Sequence, residues 1–215
     1  MFPSLAELLI KKNSAKIIFP EGNFWGRTLA AISSSTDPSS YNGFGPFMPG
    51  YDLIPYNDLV VLEKKLSDPN CAAFMFEPIQ GEAGVIVPDN GYLREVRRLC
   101  SKYNVLMVAD EIQTGIGRTG KLFGFQNFAC VPDIIVYGKG LGGGVPIGAF
   151  TTTKEKMDVL HKNPTLGHIT TFGGNPLVTA AALQTIKIIL NSNLMEKSLE
   201  YENIFRNSLK HKLIQ

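Results

Sequence analysis

Lys139 stands between Gly138 and Gly140 in the stretch VYGKGLGGGVPIG, at the end of an apolar run and just before three further glycines. A lysine at a strand end usually does no more than reach water, so its neighbours decide what it can do. A phosphate loop, G-x-x-x-x-G-K-[ST], is excluded because Gly140 follows the lysine where a magnesium-binding hydroxyl should stand. A dinucleotide fingerprint is excluded by order, since it opens a helix and this stretch runs through Pro146 into another apolar segment. Asp110 ends the preceding apolar run, VLMVA, and leads into DEIQTGIGRTG. An acid and a lysine on successive strand ends face one crevice, either as a plain ion pair or as a catalytic pair. In a water-poor cleft a lysine gives up its proton more readily and its free amine attacks an aldehyde. An aspartate against a pyridine nitrogen keeps that nitrogen protonated and makes the ring an electron sink. That combination is the chemistry of pyridoxal phosphate.

Strand ends must position such residues. Apolar runs recur at 16–19, 72–76, 105–109, 133–137 and 147–151, continuous rather than alternating, as suits strands covered on both faces. Helical spacing lies between them. Asn57 reads as the cap of a segment with Leu59, Leu62 and Leu66 on one face; Leu93, Val96, Leu99, Cys100 and Tyr103 follow Asp89 and Gly91; and Thr152 with Glu155 reads as a capping box ahead of Met157 and Leu160. Ser4 and Glu7 read as another, opening a short N-terminal helix, and Pro176 starts a long helix to about Asn191, with a last amphipathic helix after it. Strands alternating with helices predict βαβ units and a mostly parallel sheet. The segment 33–56 breaks the alternation and reads as a long loop that packs through Tyr41, Phe44, Phe47, Tyr51 and Tyr56. In such a sheet ligands bind beyond the carboxyl ends of the strands. Besides Asp110 and Lys139, that rule selects Glu77, which follows AAFMF, and NFWGR, which follows KIIFP and brings Phe24, Trp25 and Arg27.

Composition narrows the classes. The chain has 215 residues, 44% hydrophobic and 19% charged, with a formal charge of +2, which describes an ordinary globular protein. No basic stripe interleaved with aromatics is present, so nucleic acid is not an expected partner and small metabolites are. Three widely spaced cysteines, without a C-x-x-C, point to reduced thiols rather than disulfides or a metal site. No apolar run approaches a membrane span, and the N-terminus fits neither a signal nor a transit peptide. The expectation is a soluble intracellular protein, cytoplasmic or, alternatively, of the mitochondrial matrix.

The stretches GNFWGRTLAAISSSTDP, FMFEPIQGEAGV, VADEIQTGIGRTG, DIIVYGKGLGGG and HITTFGGNPL, in this order, resemble the successive motifs of the class III (subgroup II) pyridoxal-phosphate aminotransferases. The resemblance runs from about Ala15 to the end of the chain. It implies a three-layer αβα architecture with a mostly parallel sheet, the large domain of a fold-type I transferase, over 1–192, and the start of a smaller domain over 193–215. It implies Lys139 as the Schiff-base lysine, Asp110 as partner of the pyridine nitrogen, Gln113 on the ring hydroxyl and Phe24 stacked on the ring. Thr171 is implied to reach the cofactor phosphate in the other subunit of a homodimer. The SSSTDPSSYNGFGPFMPG loop is most similar to the ornithine branch, where the δ-amino group passes to 2-oxoglutarate, giving glutamate 5-semialdehyde and glutamate. In that branch Arg27 binds the substrate carboxylate, Glu82 pairs with an arginine of the smaller domain and Glu77 supports the site. GKGLGGGVPIGA is closer to the acetylornithine branch, and the 4-aminobutyrate branch shares Asp110, Gln113, Lys139 and Thr171. The family's phosphate-cradling helix upstream of NFWGR, its substrate-contacting tyrosines and its C-terminal arginine have no counterpart here. The chain is thus expected to be a central portion, with weak cofactor affinity and little transamination alone, or a non-catalytic partner of a full-length subunit.

Overall fold

The computed structural model describes residues 14–162 and 169–209. The helix expected around Ser4 and Glu7 lies outside them. Continuous apolar runs become the central strands: β1 (Lys16–Pro20), β3 (Cys71–Phe76) and β4 (Leu106–Asp110), with β5 (Ile134–Tyr137) beside them. Every residue of β4 is buried and only Met75 of β3 is not, as strands covered on both faces require. With β2 (Tyr51–Ile54) and β6 (Ala149–Thr151) they form a six-stranded sheet of order β2-β1-β3-β4-β5-β6. All pairings are parallel except the last, in which Val136 faces Phe150 on an antiparallel edge strand.

The helices are α1 (Leu29–Ile32), α2 (Pro38–Tyr41), α3 (Leu59–Leu66), α4 (Tyr92–Tyr103), α5 (Lys154–Lys162), α6 (Pro176–Leu190) and α7 (Leu194–Ser208). The main core fills the space between one sheet face and α3 with α4: Leu62, Leu66, Leu93, Val96, Leu99 and Cys100 meet Ile18, Phe74, Phe76 and Met107. Each such aliphatic side chain contributes about 1.5–3 kcal/mol by leaving water. On the opposite face Val159 of α5 packs over Ala73, Leu106 and Val108. Three layers result, α on β on α, as the sequence predicts. Among the described residues no single helix is long and apolar enough to cross a membrane.

Four local expectations are corrected. The segment 33–56 is not all loop: it holds α2, with Asp37 as its cap and Pro38 in its first turn, and the edge strand β2. Asp52 in the middle of β2 disguises it, and is accommodated because Lys65 reaches its carboxylate at 3.1 Å. Tyr51 and Tyr56 of this segment pack, while Phe44 remains 63% exposed. The cap of α3 is Asp58, which accepts from Val61 N–H; Asn57 takes a left-handed turn and accepts from Asp89 N–H instead. At α5 the capping hydroxyl is that of Thr153, accepting from Lys156 N–H, because Thr152 is drawn away to donate to the Asp133 carbonyl. The last strand begins at Ala149, two residues later than its apolar run, after Pro146 and Gly148.

The chain leaves β1 for the β2 edge and returns on the other side of β1 as β3. The strand order reverses there, and in an open parallel sheet that reversal opens a crevice beyond the carboxyl ends.

Candidate active site

The segment after β1 carries the first wall. Asn23 is buried and its Nδ2 donates to the carbonyls of Pro20 (2.9 Å) and Ser34 (2.8 Å), which fixes the turn. Two neighbouring aromatics then part company. Trp25 stacks on Phe19 with ring centroids 5.1 Å apart and donates from Nε1 to Ser34 Oγ, so it belongs to the packing. Phe24 is only partly buried, and the Arg27 guanidinium lies over its ring at 5.5 Å from the centroid.

After β3, Glu77 is 6% exposed, and its Oε1 accepts from Phe24 N–H at 3.0 Å while Oε2 accepts from Gly81 N–H at 3.1 Å. Burial raises its pKa above the usual carboxylate range, against the pull of those two N–H groups. The Gln113 amide lies close against Gly81: a Cβ there would stand 2.5 Å from it and the glutamine would have to shift. Gln113 Nε2 in turn donates to Glu82 Oε1 at 3.3 Å. The loops after β3 and β4 are therefore laid against each other.

Asp110 ends β4 at 4% exposure. Its Oδ1 accepts from Ile112 N–H at 3.0 Å, and its Oδ2 is buried without a partner. Its pKa is raised to about 7, chiefly by burial, then by the nearby charges of Glu77 and Glu111, while the Ile112 N–H and Lys139 pull it down. A buried acceptor left empty is uncommon and costs stability. Asn23 Oδ1 is a second such atom, and both residues line one small pocket together with Phe24 and Glu77. An incoming N–H donor is what this pocket lacks. A protonated ring nitrogen is a donor of the kind that this pair of acceptors, Asp110 Oδ2 and Asn23 Oδ1, would take.

Lys139 stands two residues past β5, at the head of a 3-10 turn, Lys139–Gly142. Its φ is 39°, a left-handed conformation that a lysine adopts only under constraint. Gly138 before it has a local reason: a Cβ there would come within 3.0 Å of the Ile147 carbonyl. Gly140 is not tightly packed, since its nearest neighbours would be Ile116 carbons at 3.6 Å and beyond. Gly138 thus answers at least to the backbone approach of Ile147, and Lys139 is exposed rather than enclosed. Thr171 lies on an exposed turn ahead of α6, and it makes no hydrogen bond to Asp110, Gln113 or Lys139.

Glu111 escapes a search of strand ends because it reads as one of a pair of acids. It is fully buried; Oε1 accepts from Phe125 N–H at 2.7 Å, and Oε2 accepts from Gly124 N–H at 2.8 Å and from Thr114 Oγ1 at 2.5 Å. It organises the segment 111–125 that carries Gln113. Its signal in the sequence is the doubled acid directly after a fully apolar strand.

An α/β sheet with Glu77, Asp110 and Lys139 just at or beyond the ends of β3, β4 and β5, next to a strand-order reversal between β1 and β3, has the arrangement of a small-molecule site of the doubly wound kind. Residues 6–214 match the aminotransferase class-III family. The chain belongs to that family. It is 50% identical over 204 residues to the mitochondrial ornithine aminotransferase of Drosophila melanogaster, covering 94% of this chain and 47% of that one. It is 51% identical over 201 residues to the mitochondrial ornithine aminotransferase of Rattus norvegicus, covering 93% of this chain and 45% of that one. Among solved structures it superposes on the ornithine aminotransferase of Toxoplasma gondii, crystallised with partial occupancy of PLP at its active site, with a TM-score of 0.89 and 46% identity, over 95% of this chain and 48% of that one. The chain spans about half the length of the curated relatives it matches.

Proposed function

We propose that the chain forms the pyridoxal-phosphate-binding part of an aminotransferase that moves the δ-amino group of ornithine to 2-oxoglutarate. The single observation that carries this reading is the buried, unpartnered Oδ2 of Asp110, one strand away from a conformationally constrained lysine. Pyridoxal phosphate, when bound, supplies an aldehyde that condenses with amines and a protonated ring that takes up the electron pair of a breaking C–H bond. Asp110 would hold the proton on the ring nitrogen through Oδ2, while Ile112 N–H fixes its other oxygen. Phe24 would lie beside the ring, and Gln113, whose Nε2 donates to Glu82, would offer its amide to the ring hydroxyl. Lys139 would hold the cofactor through its Nζ and, once free of it, would serve as the base that moves a proton at the substrate carbon. Arg27, exposed beside Phe24, offers the substrate carboxylate a bidentate partner. Glu82 stands behind Gln113 on the substrate side, and Thr171, on its exposed turn, reaches the phosphate held by the second copy of a homodimer. On this reading the cofactor-binding domain would extend to residue 192 and the smaller domain would begin at 193.

The similarity of roughly half of each relative's length to ornithine enzymes supports the substrate. The test has two stages. Pyridoxal phosphate is added, the adduct is trapped with borohydride, and peptides are mapped; the label is expected on Lys139, and its absence there overturns the site. Ornithine, N-acetylornithine and 4-aminobutyrate are then compared as donors in the whole protein, where ornithine is expected to bleach the visible band most efficiently.

A further inference from the structure

We propose that Glu77 is a positioning residue, whose carboxylate locks the loop after β1 to the loop after β3 and so sets the stance of Phe24 and of the Gln113 and Glu82 pair against Asp110. The proposal rests on the reading of the site given above and names what holds its groups in register. Phe24 N–H and Gly81 N–H lie in different loops, and one carboxylate accepts from both. Bonds to an ionised acceptor are about twice as strong as neutral ones. A second strut joins the same loops, because Gln80 Nε2 donates to the Glu21 carbonyl at 2.8 Å. The backbone of Glu77 is itself held: Tyr56 Oη donates to its carbonyl at 3.1 Å. With both oxygens committed to backbone N–H groups, Glu77 is not arranged as the direct substrate ligand that its place in the sequence suggests. Gly81 completes the device, since it is the point at which the Gln113 amide rests on the clamped loop. Burying a carboxylate beside another carboxylate is costly for stability alone. It is useful where the pocket must attract a cationic ring and hold it at one angle.

Glu77→Gln keeps the size of the side chain and one acceptor, and Leu93→Ala serves as a variant destabilised elsewhere in the core. Amide exchange in the cofactor-free protein is expected to quicken about tenfold at Phe24 or Gly81 in Glu77→Gln and at neither in Leu93→Ala. The visible circular dichroism per bound pyridoxal phosphate, which reports a fixed ring orientation, is expected to fall in Glu77→Gln while borohydride still labels Lys139, and to stay unchanged in Leu93→Ala. Unchanged exchange and dichroism in Glu77→Gln, or an equal loss in Leu93→Ala, overturns the proposal. Should Glu77→Gln fail to fold, Glu77→Asp, one methylene short of both donors, is read by the same two measurements. Absence of label on Lys139 in the wild-type chain counts against the site itself, whereas amide exchange judges the clamp without any cofactor.

Discussion

Asp110 is buried with one carboxylate oxygen unpartnered, a cost that the proposed ligand would relieve. Its pKa rises from 3.8 to about 7 on folding. A raised pKa in the folded state means that the folded chain binds the extra proton. Stability is therefore fully present below about pH 4 and is lost as pH climbs through 7, by about 4 kcal/mol in all. Asp110→Asn removes that titration while keeping an oxygen for Ile112 N–H. The variant is expected to be more stable than the wild-type chain at pH 8, by a few kcal/mol, with the gap closing as pH falls toward 4. Urea unfolding across this range measures it, and a gap that does not change with pH counts against the assigned burial. On the proposed reading the same substitution is expected to weaken pyridoxal phosphate binding, because a neutral amide does not stabilise a charged ring nitrogen. Gain of stability with loss of binding is the mark of a residue kept for chemistry.

At the scale of elements, the segment after β4 is built around Glu111 rather than around apolar packing. Glu111→Ala leaves two backbone N–H groups and the Thr114 hydroxyl without their acceptor, a loss of about 3 kcal/mol or more. Urea denaturation is expected to show that loss, together with weaker cofactor binding as Gln113 loses its support. This residue also marks where the sequence stops being legible. Continuous apolar runs announced β1, β3, β4 and β5, and the strand-end rule found Asp110, Lys139 and Glu77, because burial on both faces leaves a pattern that local reading detects. Glu111 left only a second acid beside Asp110, since its partners at 124 and 125 are distant in sequence. The strand β2 was hidden for a different reason. As an edge strand it carries Asp52, tied down by a lysine from α3, and its pairing with β1 is a tertiary fact that no local pattern encodes. The true caps of α3 and α5 were each displaced by one residue, because Asn57 and Thr152 were drawn to partners in other loops.

Over the whole molecule, stability is unevenly spread. Helix α4 buries Tyr92, Leu93, Val96, Leu99 and Cys100 against the sheet, and β4 is covered throughout. By contrast α6 buries only Ala182 and α7 buries nothing, while Leu177, Leu183, Ile204 and Phe205 are all more than half exposed. What ties α7 down is slight: Leu199 rests beside Gly120, and Met195 beside Gly117, in the loop that follows Gln113. Local opening free energy follows buried apolar contact, so the two ends of this range should separate widely in a single exchange experiment. Amide exchange in α7 is expected to be several orders of magnitude faster than in α4 and β4, with α6 between them, when followed by mass spectrometry on the dilute chain. Uniform protection across α4, α6 and α7 would mean that the last two helices are held by contacts stronger than the few glycine-side approaches seen here. The order matters for the site, because the loop on which α7 leans is the one that presents Gln113. Fast opening of α7 is therefore expected to be felt in the loop at Gly117 and Gly120, and the Asp110 end of β4 is expected to open only with the sheet.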